Sequence, residues 1–237
     1  MAVYVISDIH GEYDKFMELL DRIGLKETDT LYILGDVLDR GPDPIRVICK
    51  LMEMPNVIPI VGNHEVMAIT CLDFLCKEIT EETIAGIEAG MAEELSCWMM
   101  NGSMTTIEGF CKLDRGMQKK VIDYIREFLI CEELTVNGKE YLLVHAGLGN
   151  FSPEKELDEY TLDELVWERQ DYEVQYFEDK YIVTGHTPTQ YILGNPRPGF
   201  IFKKNHHIAI DCGSYHPCVR LAAICLDTGE EFYTEGH

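Results

Sequence analysis

The chain has 237 residues, 46% hydrophobic and 10% aromatic, which is enough apolar material for one large domain with a substantial core. Its 20 Lys and Arg against 42 Asp and Glu leave a formal net charge of -22, which argues against a basic nucleic-acid face or an anionic membrane partner. An anionic ligand would need a local positive centre to overcome this field, and a bound divalent cation is the obvious one.

The N-terminal "MAVYVISDIHG" predicts a strand over residues 2–7, and its early Asp8 and missing basic n-region do not read as a secretory signal. A helix is expected from Tyr13 to Ile23, a strand at 30–34, a helix at 44–53 and a strand at 56–61. This alternation predicts an α/β start with parallel pairing. From residue 64 to 130 the pattern turns helical, as a cap inserted within a single domain spanning 1–237. Met91, Met99, Met100 and Met104 in that stretch read as helix core rather than as a groove. From 131 onward β-rich runs return, separated by turn signals such as "VNGK" and "LDTGE". The fold class expected is a mixed α/β sandwich flanked by helices, parallel early and built of antiparallel hairpins late. No run of about 18 apolar residues appears, so no transmembrane helix is expected. Nine scattered cysteines, Cys218 among them, contain no CxxC and suggest reduced thiols and a cytoplasmic setting.

Five predicted strand ends carry polar residues. They are Asp8 and His10; Asp36, Asp39 and Arg40; Asn63, His64 and Glu65; His145; and His186. Ligands of open α/β sheets bind outside the carboxyl ends of the strands, so side-by-side strands would bring these clusters to one rim. Imidazole, carboxylate and amide oxygen without thiolate suit Mn, Fe, Zn or Ni. One bridging carboxylate can hold two ions at the spacing used in phosphate-ester hydrolysis. Each fragment also has a plain structural reading. "GNHE" fits a turn with Asn in the left-handed region, and "DRGPD" fits a helix cap. The joint occurrence in order favours the site. His206, His207, His216 and His237 fall outside the series and read as strand, turn or tail residues.

"SDIHG", "GDVLDRG", "GNHE", "VHAG" and "TGHTP" resemble the motif series of the calcineurin-like metallophosphoesterases. More narrowly, they are similar to short bacterial and phage serine/threonine phosphatases of the phosphoprotein phosphatase family. "WMMNGSMTTIEGF" is similar to a W-x-x-N-G-G-x-x-T stretch of bacterial members, with Ser103 in place of the second glycine. The resemblance implies one metal held by Asp8, His10 and Asp36, and a second held by Asp36, Asn63, His145 and His186. Manganese is the first expectation; iron, zinc or nickel are also accepted by such donors. Arg40 would clamp the phosphoryl oxygens, and Arg169 in "LVWERQD" matches a second phosphate-binding arginine. His64 would protonate the leaving oxygen, oriented by Asp39.

The activity this implies is hydrolysis of phosphomonoesters, phosphoserine and phosphothreonine of proteins first, by in-line attack of a metal-activated water. The expected partner is a phosphoprotein or small phosphoester, without nucleic acid or membrane; oligomeric state stays open. Three rivals share the scaffold: a symmetrical dinucleoside tetraphosphatase, a phosphodiesterase or nuclease, and a scaffold without catalysis. The first commonly has a non-acidic residue at the position of Asp39, and a lapsed scaffold should have broken ligands.

Overall fold

A computed structural model describes residues 1–76, 89–216 and 219–235. Cys218, His237 and residues 77–88 of the expected cap lie outside these.

Strands β1 (Val3–Ile6), β2 (Thr30–Leu34) and β3 (Val57–Ile60) alternate with helices α1 (Tyr13–Ile23) and α2 (Pro44–Met52). Helix α1 forms because Phe16, Leu19, Leu20 and Ile23 recur on one face, and all four are buried. It stops at Gly24, whose left-handed φ of 58° lets its amide close on the last carbonyls. Proline at the first position of α2 presets the helical φ and costs no hydrogen bond there.

The helices α3 (Asn63–Leu75), α4 (Ala89–Met100), α5 (Met104–Cys111) and α6 (Arg115–Arg126) follow. Asp114 caps α6 by accepting from the Met117 amide. Met99 and Met100 are exposed rather than core, because Trp98 is the residue that α4 turns fully inward; Met104, which opens α5, is also exposed, and Met91 is half-buried. Ser103, with φ of -70°, has no need of the glycine it replaces.

The remaining chain contributes β4 (Cys131–Val136), β5 (Lys139–Val144), a short helix α7 (Leu162–Val166), β6 (Lys180–Thr184), β7 (Phe202–Lys204), β8 (His207–Ala209), β9 (Ala222–Cys225) and β10 (Glu231–Tyr233). One sheet has the order β10-β9-β1-β2-β3 and the other β4-β5-β6-β8-β7. Strands β1, β2 and β3 run parallel, and β9 and β10 close their sheet as an antiparallel hairpin. The late strands are not hairpins alone: β5, β6 and β8 are parallel, with antiparallel β4 and β7 at the edges. The architecture is therefore a mixed α/β sandwich in which each sheet contains three neighbouring parallel strands.

Period-two alternation divides the core. Val5, Tyr32, Leu34 and Ile60 meet Tyr141, Leu143, Val183 and Ile208 between the sheets. Ile6, Leu31 and Ile33 point the other way and pack with Phe16, Leu19, Ile48 and Trp98. Among the described residues, no helix is long and apolar enough to cross a membrane, and eight cysteines are free thiols.

Candidate active site

The strands predicted to lie side by side are divided between two sheets. Asp8 and His10 follow β1, Asp36 follows β2 and Asn63 follows β3, while His145 follows β5 and His186 follows β6. Because each sheet contains three neighbouring parallel strands, both present carboxyl ends to a shared rim. The amide of His186 reaches across to the Asp8 carboxylate at 3.0 and 3.1 Å, joining the two sheets.

Sharp turns bring the side chains inward. Among the described residues ten non-glycine residues have positive φ, and six are Asp8, His10, Asp36, Asp39, Arg40 and His186. Such left-handed backbone costs about 1–3 kcal/mol per residue and persists where surrounding structure enforces it. Glu65 does much of that enforcing. Its buried carboxylate accepts the amides of Asp36 (2.8 Å), Val37 (2.9 Å), Leu38 (3.1 Å) and Gly62 (3.0 Å), tying the turn after β2 to that after β3. Gly62 is required by close approach, since a Cβ there would lie 2.3 Å from Asp36 Oδ1.

Asp36 stands at the centre. Its oxygens lie 3.5 Å from His10 Nε2 and 3.3 Å from His145 Nε2, and 3.9 Å from His64 Nε2. Asn63 Oδ1 lies 3.0 Å from His145 Nε2 and 3.1 Å from His186 Nδ1. Three imidazoles give their outer nitrogen to a backbone carbonyl: His10 Nδ1 to Leu38 (2.9 Å), His145 Nδ1 to Leu34 (2.7 Å) and His186 Nε2 to Trp167 (3.1 Å). Each inner nitrogen is then the basic one, as a metal ligand requires.

Burial lowers the pKa of His10 and of His145, and burial together with His145 brings His186 down to about 3. Burial would raise Asp36, but His145, His64, His10 and His186 outweigh it and hold the carboxyl below its ordinary range. Asp8 moves the other way, pushed up by burial and then by Asp211 and Asp36. Burial likewise lifts Asp211 to about 7 against the amide of Gly213. Three buried carboxyls, Asp8, Asp36 and Asp211, crowd one rim with imidazoles beside them, a donor set that suits divalent cations.

The donor groups that gather within 4.8 Å of one another are His10, Asp36 and His64, and Asp36, His145 and His186. Asp36 is shared by both, as a bridging carboxylate must be. Asp8 belongs to neither group, its oxygens being turned to the His186 amide. His64 stands where a ligand of the first ion would, yet its Nδ1 is taken by Asp39 Oδ2 at 2.6 Å. Both residues are fully buried, and His64 Nε2 has no hydrogen-bond partner.

Arg40 and Arg169 line a cavity of about 290 Å³ with Asp36, Asn63, Trp167 and His186. Arg40 Nη1 donates to His10 Nε2 at 2.8 Å, and Arg169 Nη1 to Thr187 Oγ1 at 3.2 Å.

Sequence reasoning missed four supports of the site. Trp98 Nε1 donates to Asp39 Oδ2 at 2.7 Å and Thr106 Oγ1 donates to Asp39 Oδ1 at 2.6 Å. Both lie in the "WMMNGSMTTIEGF" stretch, whose pattern carried no chemical role on its own. Glu65 gave only a polar letter in "GNHE". Asp211 follows β8 and offers the signal used for the other strand ends, an acid closing the apolar run "HHIAID".

A two-layer sandwich with a His/Asp cluster at the carboxyl ends of the parallel strands of both sheets defines a metal-dependent phosphoesterase scaffold. A family model described as calcineurin-like phosphoesterase matches residues 1–237, and the chain belongs to that family, hydrolases that act on phosphoesters with divalent metal ions. Among curated proteins it is 27% identical over 150 residues to the symmetrical bis(5'-nucleosyl)-tetraphosphatase of Nitrosomonas europaea, covering 62% of this chain and 45% of that protein. It is 30% identical over 112 residues to the enzyme of the same name from Nitrosospira multiformis, covering 46% and 41%. The chain thus spans less than half the length of these curated relatives. A solved structure of a putative diadenosine tetraphosphatase superposes with a TM-score of 0.69 at 16% identity, covering 100% of this chain and 94% of that one.

Proposed function

We propose that this chain is a phosphomonoesterase acting on phosphorylated protein side chains, phosphoserine and phosphothreonine among them. The observation that carries the reading is the buried His64–Asp39 pair, 2.6 Å between Nδ1 and Oδ2. An imidazole so oriented, buried behind Asp36, which lines the cavity, with Nε2 free of partners and 3.9 Å from Asp36 Oδ2, suits proton donation to a leaving oxygen.

His10, Asp36, Asn63, His145 and His186, with Asp8 after its carboxylate turns inward, are the residues that would hold two divalent ions, manganese first. Bound there, the ions supply the attacking oxygen and neutralise phosphoryl charge. The remaining work belongs to side chains of this chain. Arg40 and Arg169 take the outer phosphoryl oxygens, their planar forks matching that geometry. His64 releases its Nε2 proton to the departing oxygen and regains one from solvent between turnovers. Asp39 holds the ring in the tautomer and orientation that this transfer needs.

The second reading, a symmetrical dinucleoside tetraphosphatase, is favoured by the curated relatives. Asp39 argues for the monoester, since an alkoxide leaving group needs the oriented acid more than a nucleotide phosphate does. The deciding experiment is a panel of p-nitrophenyl phosphate, phosphopeptides, diadenosine tetraphosphate and a diester, run with manganese and after chelation. Manganese-dependent turnover of the monoesters is expected. A strong preference for diadenosine tetraphosphate overturns the proposal.

A further inference from the structure

Two claimants meet at one lone pair of His10. A guanidinium carries only donors, so in the 2.8 Å contact between Arg40 Nη1 and His10 Nε2 the imidazole nitrogen accepts. His10 Nδ1 donates to the Leu38 carbonyl at 2.9 Å, which leaves Nε2 as the one acceptor of the ring. A cation held by His10 needs that same lone pair, so it must displace the Arg40 N–H.

The other half of the cluster has no such competitor. His145 Nε2 faces Asn63 Oδ1 at 3.0 Å and Asp36 Oδ1 at 3.3 Å, and His186 Nδ1 faces Asn63 Oδ1 at 3.1 Å. Among the described residues no lysine or arginine hydrogen-bonds to either nitrogen. The two halves are therefore unlike, although Asp36 belongs to both.

The setting of Arg40 lets its guanidinium leave while its backbone stays. Its amide donates to the Gly102 carbonyl and the next amide, that of Gly41, to the His10 carbonyl, both at 2.9 Å. A Cβ on Gly41 would lie 2.1 Å from that His10 carbonyl, so the two turns are locked together. The Arg40 side chain is half-buried and lines the cavity, its guanidinium 4.5 Å from the centre of the Tyr215 ring. His10 offers this fork one lone pair, whereas a phosphoryl group offers two anionic oxygens and so a stronger, bidentate partner.

We infer that Arg40 gates the His10 half of the centre: its guanidinium keeps the His10 lone pair until an oxyanion in the cavity takes it away, so phosphate and the second metal ion bind cooperatively. The inference rests on the metal-holding residues named under the proposed function and not on the choice of substrate. By linkage, the factor that phosphate adds to the affinity of this ion is the factor that the ion adds to the affinity for phosphate.

The test is a manganese titration followed by the electron paramagnetic resonance signal of the free ion, with no turnover involved. The parent protein should bind one ion tightly and a second more weakly, and saturating inorganic phosphate should strengthen the second. His10→Ala should abolish the weaker binding and keep the tighter, which assigns the two. Arg40→Met keeps the stem and removes the fork. Without phosphate it should tighten the weaker ion by roughly three- to tenfold, the size of one lost hydrogen bond, and leave the tighter ion unchanged. The gain from phosphate should shrink by the same factor. Arg169→Met removes a cation from the same cavity without touching His10, and should leave the gap between the two affinities as it was. The phosphate arm on the parent protein needs no variant, so the gate stays testable even if Arg40→Met fails to fold. Two ions of equal affinity, no gain from phosphate, a phosphate gain that Arg40→Met leaves whole, or equal effects of the two arginine variants would each overturn the gate and leave the metal centre intact. A parent protein that binds no manganese with or without phosphate overturns both.

Discussion

Asp39→Asn keeps the shape of the side chain and removes its charge. Both ring donors, His64 Nδ1 and Trp98 Nε1, point at Oδ2, so the amide oxygen must sit there and the NH2 must face Thr106. The Thr106 hydroxyl then accepts where it had donated, and the network survives with a neutral centre. Hydrogen bonds to charged groups contribute about 1.5–3 kcal/mol against about 1 for neutral ones, so roughly 1–2 kcal/mol of support for a protonated His64 is lost. At 1.36 kcal/mol per tenfold, kcat on a phosphothreonine peptide should fall about 5- to 30-fold, with KM little changed. The assay is steady-state turnover at saturating manganese, with metal content measured on the same samples. p-Nitrophenyl phosphate, whose leaving group needs little proton help, should lose much less. Equal losses on both substrates, or loss of bound metal, would refute the role given to this pair.

His64→Asn should leave metal content near that of the parent protein while lowering turnover by roughly a hundred- to ten-thousandfold. Loss of both ions would instead make His64 a ligand, as its place beside His10 and Asp36 allows. A different region tests charge and stability. Glu164 accepts from Asn150 (3.0 Å), Lys155 (2.9 Å) and the Thr161 amide (2.9 Å). With the bond from Asn150 foremost, these hold its pKa at about 2, below its ordinary 4.5. A depressed carboxyl stabilises above its unfolded value, and that contribution fades as pH falls from about 4.5 toward 2. The Tm deficit of Glu164→Gln should be full at pH 7 and shrink by pH 3; a deficit independent of pH would mean lost packing instead.

The first five elements were legible almost to the residue. Their apolar periods are clean, and Gly24 and Pro44 mark boundaries with backbone chemistry that tolerates little else. The later pairing was not, because β7 and β8 are three residues each and a short apolar run carries no sign of its partner's direction. The gathering of His and Asp side chains at one rim was legible because strand ends crowded with these residues recur along the sequence in order. The supports were not: Trp98 and Thr106 read as ordinary helix residues until the chain brings them to Asp39. Asp8 shows the converse, a motif residue whose side chain in the structure points to an amide rather than into either donor group.

The six left-handed residues at the rim also bear on how such a protein would age if its chemistry were no longer selected. Glycine at any of them would relax the backbone, but at Asp8, Asp36 and Asp39 it would also remove the acceptor of buried donors, among them the His186 amide, the His64 amide and the Trp98 indole. An unpaired buried donor costs about 1–3 kcal/mol, as much as the strain relieved. The rim is therefore held in its strained form by its own hydrogen bonds, and drift away from the acidic positions brings no gain in folding free energy.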